Sequence, residues 1–529
     1  MSRRIRLSAW TRTGCYTCKR RHKKCDEQKP RCLVCTRLNL ECVQSDAFCA
    51  VPAGKAPSRR KRATPQAAPF EPSPPVNSAG SRGPVPPLHD KAGEGEEECL
   101  TLSRLPSTYR PKGFHFDISQ PECWLFQYYV ERLSGLLVNA IGHDNPLQSL
   151  IVPRVLSSPL LLRTVCAVSA LHRSSYAQDG ETKYQTEATG YYVRALSDLR
   201  EHVPFLHGKN NSVLLQTVLL SSIFLCKYEI IKDGVTNWRR HLKGIESFCQ
   251  LLGGDGSAAS IPDVMEFAQS FITYHKGIAS LTEQGASAIR HDETARDAGH
   301  DASAASPSGN SVLQPVDPYM GFSKCLIVLL RQVMGLLNLN SDRRDILPIV
   351  ALELQHILGL LSRRNWTAEH FLIPNGMTQE TIARLEHVSR AYENAVHACL
   401  HSVIEELSAR EGTQQEVWDH WDGLRGMLPV SKEAALTGCI DDIRLVPCDS
   451  PEEAGLLPVL FIVACETDSP EQMMTVLQRV TVLEAHVGLG NIRYAAALLR
   501  EVWSRRMQLR QWHGWRGLLA TTNWDLIIT

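Results

Sequence analysis

"CYTCKRRHKKC", residues 15–25, sets Lys19, Arg20, Arg21, His22, Lys23 and Lys24 side by side between cysteines with no neutral spacer. Six neighbouring basic groups repel one another, so the pattern calls for something that holds the segment in shape and something anionic that receives it. The cysteines continue the pattern. Cys15, Cys18, Cys25, Cys32, Cys35 and Cys42 fall as C-x2-C-x6-C-x6-C-x2-C-x6-C, in which the second three repeat the first three moved by 17 residues. A C-x2-C pair lets one tight turn present two thiolates to one metal, and tetrahedral zinc takes four ligands at about 2.3 Å. Six thiolates close two such sites only if two sulfurs each bridge both metals. The repeat makes the bridges equivalent positions of the two halves, and Cys15 with Cys32 is the pair expected.

The competing reading is a disulfide framework, which belongs to secreted mini-domains in an oxidising compartment. The first fourteen residues carry Arg3, Arg4, Arg6 and Arg12 and lack an apolar stretch, so no secretory signal is expected and the thiols are read as reduced, intracellular metal ligands. The strongest membrane candidate, the uncharged run Asn210–Cys226 ("NNSVLLQTVLLSSIFLC"), holds two Asn, three Ser, a Gln and a Thr, and reads as a buried helix; no membrane partner is expected. A segment as short as residues 13–43 cannot fold on an apolar core. Metal binding then supplies its folding free energy, on the order of 10 kcal/mol or more.

The charge is lopsided. Residues 1–43 hold twelve Lys and Arg against Asp26, Glu27 and Glu41, a surplus of nine, whereas the 529-residue chain as a whole is +1. A basic head on a mildly acidic body points to a polyanion at the N-terminus, nucleic acid being the usual one. Within the head, only Arg37 lies among the basic residues between Cys35 and Cys42, so the first half is expected to face the polyanion and the second to brace it through Val34, Leu38 and Leu40. "DEQKPRC" connects the halves, with Pro30 stiffening the turn.

Residues 14–43 resemble the fungal zinc binuclear cluster (Zn2Cys6) transcription-factor family. The resemblance implies two Zn2+ per chain, a short helix placed in the major groove of double-stranded DNA, and a nuclear regulator of RNA polymerase II transcription. In that family the lysine four positions after the second cysteine reads a CGG-type half-site together with its predecessor. Here that position is His22, preceded by Arg21. Neutral His22 offers one N–H, which either weakens guanine recognition or passes it to Arg21; GC-rich half-sites are still expected.

From Ser45 to about Glu98 the chain turns to Pro, Ala, Ser and Gly, with "SRRKR" (Ser58 to Arg62) as an import-type basic motif, and residues 44–108 are read as a disordered linker. Residues 44–98 show no heptads and many prolines, so the coiled coil that sets half-site spacing in many relatives is not expected there. A homodimer formed through the C-terminal domain and monomeric binding to a single site stay as alternatives.

From about Tyr109 onward apolar residues recur at three and four. In "SSPLLLRTVCAVSALH", Ser158 fits an N-cap and Pro159 the first helical position, with Leu161, Val165, Val168 and Leu171 on one face. Further helices are expected at 121–141, 185–202, 212–231, 236–252, 262–282, 319–339, 344–362, 378–410, 456–466, 470–487 and 491–511, with a flexible insertion near 285–311. The fold class is therefore a small zinc-stabilised cluster, a linker, and a large all-α domain of stacked helices over 109–529. The passages "NPLQSLIVPRVLSSPLLLRTVCAVSALHRSSY", "NWRRHLKGIESFCQLLGG", "LPVLFIVACE" and "REVWSRRMQLRQWHGWRGLLATTNWDLIIT" resemble the fungal-specific transcription-factor domain. That resemblance implies regulation, contact with the transcription machinery or coregulators, and in some members a small-molecule effector among the helices.

No G-x-S-x-G, H-E-x-x-H, P-loop or G-x-G-x-x-G occurs, so no catalytic residue and no enzyme activity is expected. The eleven other cysteines lack C-x2-C pairing and read as small buried hydrophobes. "HDNP" (His143 to Pro146) reads as a loop and "DHWD" (Asp419 to Asp422) as a helix end, while Trp503, Trp512, Trp515 and Trp524 read as packing. Two other classes compete with this reading. A DNA-tethered enzyme lacks its constellation, and a zinc-dependent RNA binder would need exposed stacking aromatics, of which only Tyr16 lies between Cys15 and Cys42.

Overall fold

The chain separates into two units, residues 1–90 and 91–529. The computed structural model describes residues 25, 26, 28 and 31–37 of the first, and of the second residues 108–529 apart from 110–112, 140–144, 177–180, 207–211, 255–260, 284–313, 340–345, 363–370, 373–376, 411–414, 449, 509–513 and 523. Of the expected linker only residue 108 is among these, and the insertion expected near 285–311 lies outside them. In the first unit, Leu33–Arg37 forms helix α1.

The second unit is all-α with two strand pairs of two residues each, Thr108–Tyr109 antiparallel to Ile118–Ser119 and Gln314–Pro315 parallel to Phe371–Leu372. Several of its helices begin where the sequence supplies an oxygen for the first free N–H groups. Ser119 and Glu122 cap each other at the start of α2 (Gln120–Tyr128). Ser158 accepts from the Leu161 N–H at the start of α3 (Pro159–Ser174), with Pro159 in the first turn. The faces expected of α3 are buried, but so are thirteen of its 16 residues. α2, α4 (Glu181–His202) and α5 (Ser212–Lys232) all pack on α3, so a single apolar stripe understates its burial.

α5 contains residues 212–226 of the uncharged run that reads as a membrane candidate and continues through Lys227 and Glu229 to Lys232. It is long and apolar enough to cross a bilayer, yet fifteen of its 21 residues are buried inside the helical unit. It packs on α3, α4, α6 (Trp238–Gly254) and α7 (Pro262–Thr282), which is the placement of a core helix. α7 leads into α8 (Lys324–Gly335), and α9 is Ile346–Ser362. The 32-residue α10 (Gln379–Arg410) lies against α8 and receives α11 (Gln415–Gly426), α12 (Lys432–Arg444) and α13 (Leu457–Glu466). α14 (Pro470–Val487) ends at Gly488 with φ +66°, α15 (Gly490–Gln508) crosses back onto α5, and α16 is Gly514–Thr522. That crossing depends on a missing side chain, because a Cβ on Gly490 would stand 2.2 Å from the Lys232 carbonyl oxygen.

Three departures from the sequence reading have local causes. The helix expected over 121–141 gives way to a π turn at Tyr129–Leu133 and ends at Leu136. There the Ser134 carbonyl accepts from the Asn145 amide at 3.1 Å instead of continuing a helical ladder. α11, α12 and α16 were not expected. The helix expected at 319–339 starts only at Lys324, because Asp317 gathers the N–H groups of Tyr319 and Met320 into a turn. The final residues also close the core. Leu526, Ile527 and Ile528 are fully buried, Arg239 grips the Asp525 carboxylate through both Nε and Nη2, and the Ile527 N–H donates to the Gly234 carbonyl.

His172 on α3 ties two ends of this unit together. Its Nε2 lies 2.7 Å from the Val487 carbonyl oxygen and its Nδ1 lies 2.7 Å from the Tyr128 hydroxyl, so the neutral ring is satisfied on both sides. Burial pulls its pKa from the ordinary 6.5 down to about 4. A depressed histidine binds its proton only after unfolding, so its contribution to stability is complete above about pH 6.5 and declines as pH falls towards 4. Denaturant melts of the full-length chain should therefore weaken across that window, and H172Q should flatten the decline. Buried His275 is lowered in the same direction, so part of the slope stays. Equal slopes for both proteins would show that His172 is not held neutral.

Candidate metal centre and nucleic-acid interface

The buried centre of the first unit, over its described residues, consists of Cys25, Cys32 and Cys35, exposed by 4%, 0% and 0%, with Val34 packed against them. Sulfur takes the place that an apolar core has elsewhere. α1 explains how two of the thiols come together, since the C-x2-C spacing spans its first turn. The Cys35 N–H points at the Cys32 Sγ at 3.4 Å, and the Thr36 N–H and hydroxyl both reach the Cys32 carbonyl at 3.0 Å. An N–H directed at sulfur stabilises the thiolate that a metal requires.

Cys25 arrives from the other side of the connecting segment. The sulfurs of Cys25 and Cys32 and a carboxylate oxygen of Asp26 lie within 4.8 Å of one another. Two sulfurs sharing one tetrahedral zinc stand about 3.8 Å apart when each bond is about 2.3 Å. Buried thiols within 4.8 Å of each other, with only Val34 packed against them among the described residues, fit zinc in donor type and in reach.

Asp26 is the residue that sequence reasoning missed. It entered only as a countercharge to the basic head, but its Oδ2 accepts from the Leu33 N–H at 3.0 Å, and that bond holds its carboxyl below the usual carboxylate range. The bond ties the Cys25 side of the segment to the start of α1 and so sets how the Cys25 and Cys32 thiols approach each other. The available signal was an Asp directly after a ligand cysteine and seven residues before a helix N-terminus. Cys15, Cys18 and Cys42, and the basic run Lys19, Arg20, Arg21, His22, Lys23 and Lys24, lie outside the described residues.

In the helical unit, five of the cysteines expected to be buried packing groups are so, while Cys123, Cys249, Cys325 and Cys448 are half-buried and Cys448 accepts from Arg479. Cys166, Cys226, Cys399, Cys439 and Cys465 are buried, and burial pushes each thiol's pKa up, to about 12 for Cys399. Such thiols are poor nucleophiles. Trp503 donates to the Ala464 carbonyl and Trp515 to Glu466, while Trp524 meets Tyr494 edge-on; Trp512 lies outside the described residues. In "HDNP", Asn145 caps the short helix Pro146–Ser149. "DHWD" lies inside α11 rather than at a helix end, with Trp421 fully buried.

Residues 124–529 match the fungal specific transcription factor domain, and residues 13–48 match the fungal Zn(2)-Cys(6) binuclear cluster domain. The chain belongs to the fungal zinc-cluster transcription factors that carry the fungal specific transcription factor domain. Zinc binding by the N-terminal domain goes with that membership. Among curated relatives, the chain is 66% identical over 32 residues to Transcriptional regulatory protein moc3 of Schizosaccharomyces pombe, covering 6% of each chain. It is 59% identical over 32 residues to Sterol uptake control protein 2 of Candida albicans, covering 6% of this chain and 4% of that one. It is 53% identical over 38 residues to Transcriptional regulatory protein UME6 of Saccharomyces cerevisiae, covering 7% and 4%. The chain thus spans 4–6% of the length of these relatives. No solved structure matches it.

Replacing Asp26 with Ala removes the tie between the Cys25 side and α1 while leaving every cysteine in place. In competition with a zinc chelator, D26A should lose its metal at lower chelator concentration than the parent chain, and D26N, which keeps an acceptor oxygen, should fall between them. Identical chelator curves for all three would remove Asp26 from any role in shaping the site.

Proposed function

We propose that this chain is a nuclear, sequence-specific regulator of RNA polymerase II transcription that reads GC-rich, CGG-like half-sites in double-stranded DNA. Cys15, Cys18, Cys25, Cys32, Cys35 and Cys42 would hold two Zn2+, and Lys19, Arg20, Arg21, His22, Lys23 and Lys24 would form the DNA-contacting surface. One observation carries the reading: among the described residues the buried centre of the first unit is made of cysteines, and in sequence it follows directly on an unbroken basic run. Bound zinc supplies charge neutralisation and folding free energy to the thiolates. The protein's own residues do the recognition.

Side chains flanking the groove contact phosphates and carry most of the salt-dependent affinity, while those at the tip reach base edges and carry the sequence choice. Arg is suited to the second task because its fork matches guanine O6 and N7. Arg21 is accordingly assigned to base reading beside His22, and Lys24 to phosphate. The helical domain is assigned to control, through coregulators and dimerisation. No enzymatic step is assigned to it, in keeping with membership in a family of transcription regulators.

Selection of bound sites from random duplexes with the full-length chain tests this directly. GC-rich triplets should be enriched, and a fixed spacing between two of them would report a dimer. R21A should relax sequence choice, at about 1–3 kcal/mol for one good base contact. K24A should weaken all duplexes alike and reduce the salt slope by about one unit. An unchanged affinity and sequence preference in R21A would refute the placement of the basic run, and preference for single-stranded RNA over duplex DNA in competition would favour the RNA-binding class instead.

A further inference from the structure

α9 (Ile346–Ser362) is apolar on more sides than its surroundings require. Its only ionisable side chains are Glu353 and His356, and charges resume at Asp345 and Arg363, just beyond its two ends. A helix of that composition is normally buried all round. Only one stripe of α9 is buried: Ile346, Val350, Leu354, Ile357 and Leu361 enter the core, and the helix packs beside α11. The opposite side faces out. Leu352 is 68% exposed, and Ile349 and Leu360 are exposed with it. Surface helices place charged or polar groups on the side away from the core. None of the exposed residues of α9 is Lys, Arg, Asp or Glu.

The outward stripe has a shape that fits its own copy. Leu352 and Gly359 are seven residues apart, two turns or about 10 Å along the axis, and so lie one above the other. Leu352 projects from the surface. Gly359 leaves a hollow, since a Cβ there would meet nothing within 4 Å beyond its own helix backbone. The midpoint between them falls between Gln355 and His356, both exposed. A second α9 turned about a two-fold axis through that midpoint runs antiparallel to the first. Leu352 of each copy then comes opposite Gly359 of the other, and each Gln355 opposite the other's His356, a pair able to hydrogen-bond in either tautomer. A two-fold contact also sets each group near the axis against its own copy, so like charges there repel. The centre of this stripe carries no Lys, Arg, Asp or Glu.

We propose that the outward face of α9 binds a second copy of this chain, the two helices pairing antiparallel with Leu352 of each seated on Gly359 of the other. Ile349 and Leu360 flank the contact and lose their exposure with it. The dimer joins two DNA-reading units and so selects duplexes that carry paired half-sites. That consequence rests on the proposed function, whereas the contact itself involves none of the residues assigned to zinc or DNA.

The test is sedimentation equilibrium of the full-length, zinc-loaded chain, which should be a dimer at micromolar concentration. L352R should raise the dimer dissociation constant about a hundredfold or more, because a symmetric contact loses the side chain twice. G359L fills the hollow with a better helix former and should also weaken the dimer, which keeps the test valid should L352R misfold. Circular dichroism should show the same helix content in the parent and both variants. Duplex binding is read on the same preparations. L352R should bind a single half-site as the parent does and lose only the preference for paired sites. Absence of duplex binding by the parent would count against the DNA reading and leave the sedimentation result standing. A parent chain that stays monomeric at tens of micromolar, or variants that dimerise as tightly as the parent, would overturn the proposal. A monomeric parent that instead sediments with phosphatidylcholine vesicles would overturn it in favour of a lipid surface.

Discussion

Thiolates around metal have to do in the N-terminal unit what apolar side chains do elsewhere. Its described buried residues are three cysteines and the side of one valine, far too little apolar surface to offset the entropy of ordering a segment of that size. The basic run precedes the first of these cysteines directly. Under the proposed function, whatever fixes the sulfurs would also order that run. The Asp26 bond to the start of α1 is the protein's own contribution to that geometry.

The helical unit rests on the opposite principle. Its core is continuous and built around α5 and α10, and several of its buried charged groups are paired. Glu466 shows the pattern: with its side chain 9% exposed, it is held ionised by Lys432 and Arg516 and accepts from Trp515 and Ser402. The Arg384–Glu452 and Arg479–Glu453 pairs near the start of α13 follow the same pattern. Lys227 differs from these: among the described residues it forms no ion pair and meets the Leu137 carbonyl and the Tyr319 and Phe271 rings instead.

Much of the helical architecture was legible because its signals are local. α7 and α14 have the bounds expected, since Pro262 starts one while Ser469, Pro470 and Gly488 punctuate the other. α12 escaped because its buried face is Ala435, Leu436, Cys439, Ile440 and Ile443, where alanine and cysteine carry little weight in an apolar periodicity. α16 begins at Gly514 with φ +79°, a conformation that reads in sequence as a break. At the metal centre the cysteine lattice was plain, because ligand spacing is a property of the chain. Asp26 and Lys227 were not, because each acquires its meaning from a residue brought near by folding: Leu33 across a turn, and Leu137 ninety positions away.

The central claim is that metal, rather than packing, shapes the DNA-reading segment. It is tested most directly by preparing the full-length chain free of metal and titrating Zn2+ while duplex binding is recorded. The account predicts no specific binding by the metal-free chain, and recovery that saturates at two zinc per chain. Specific duplex binding without metal, or full recovery at one zinc, would contradict it.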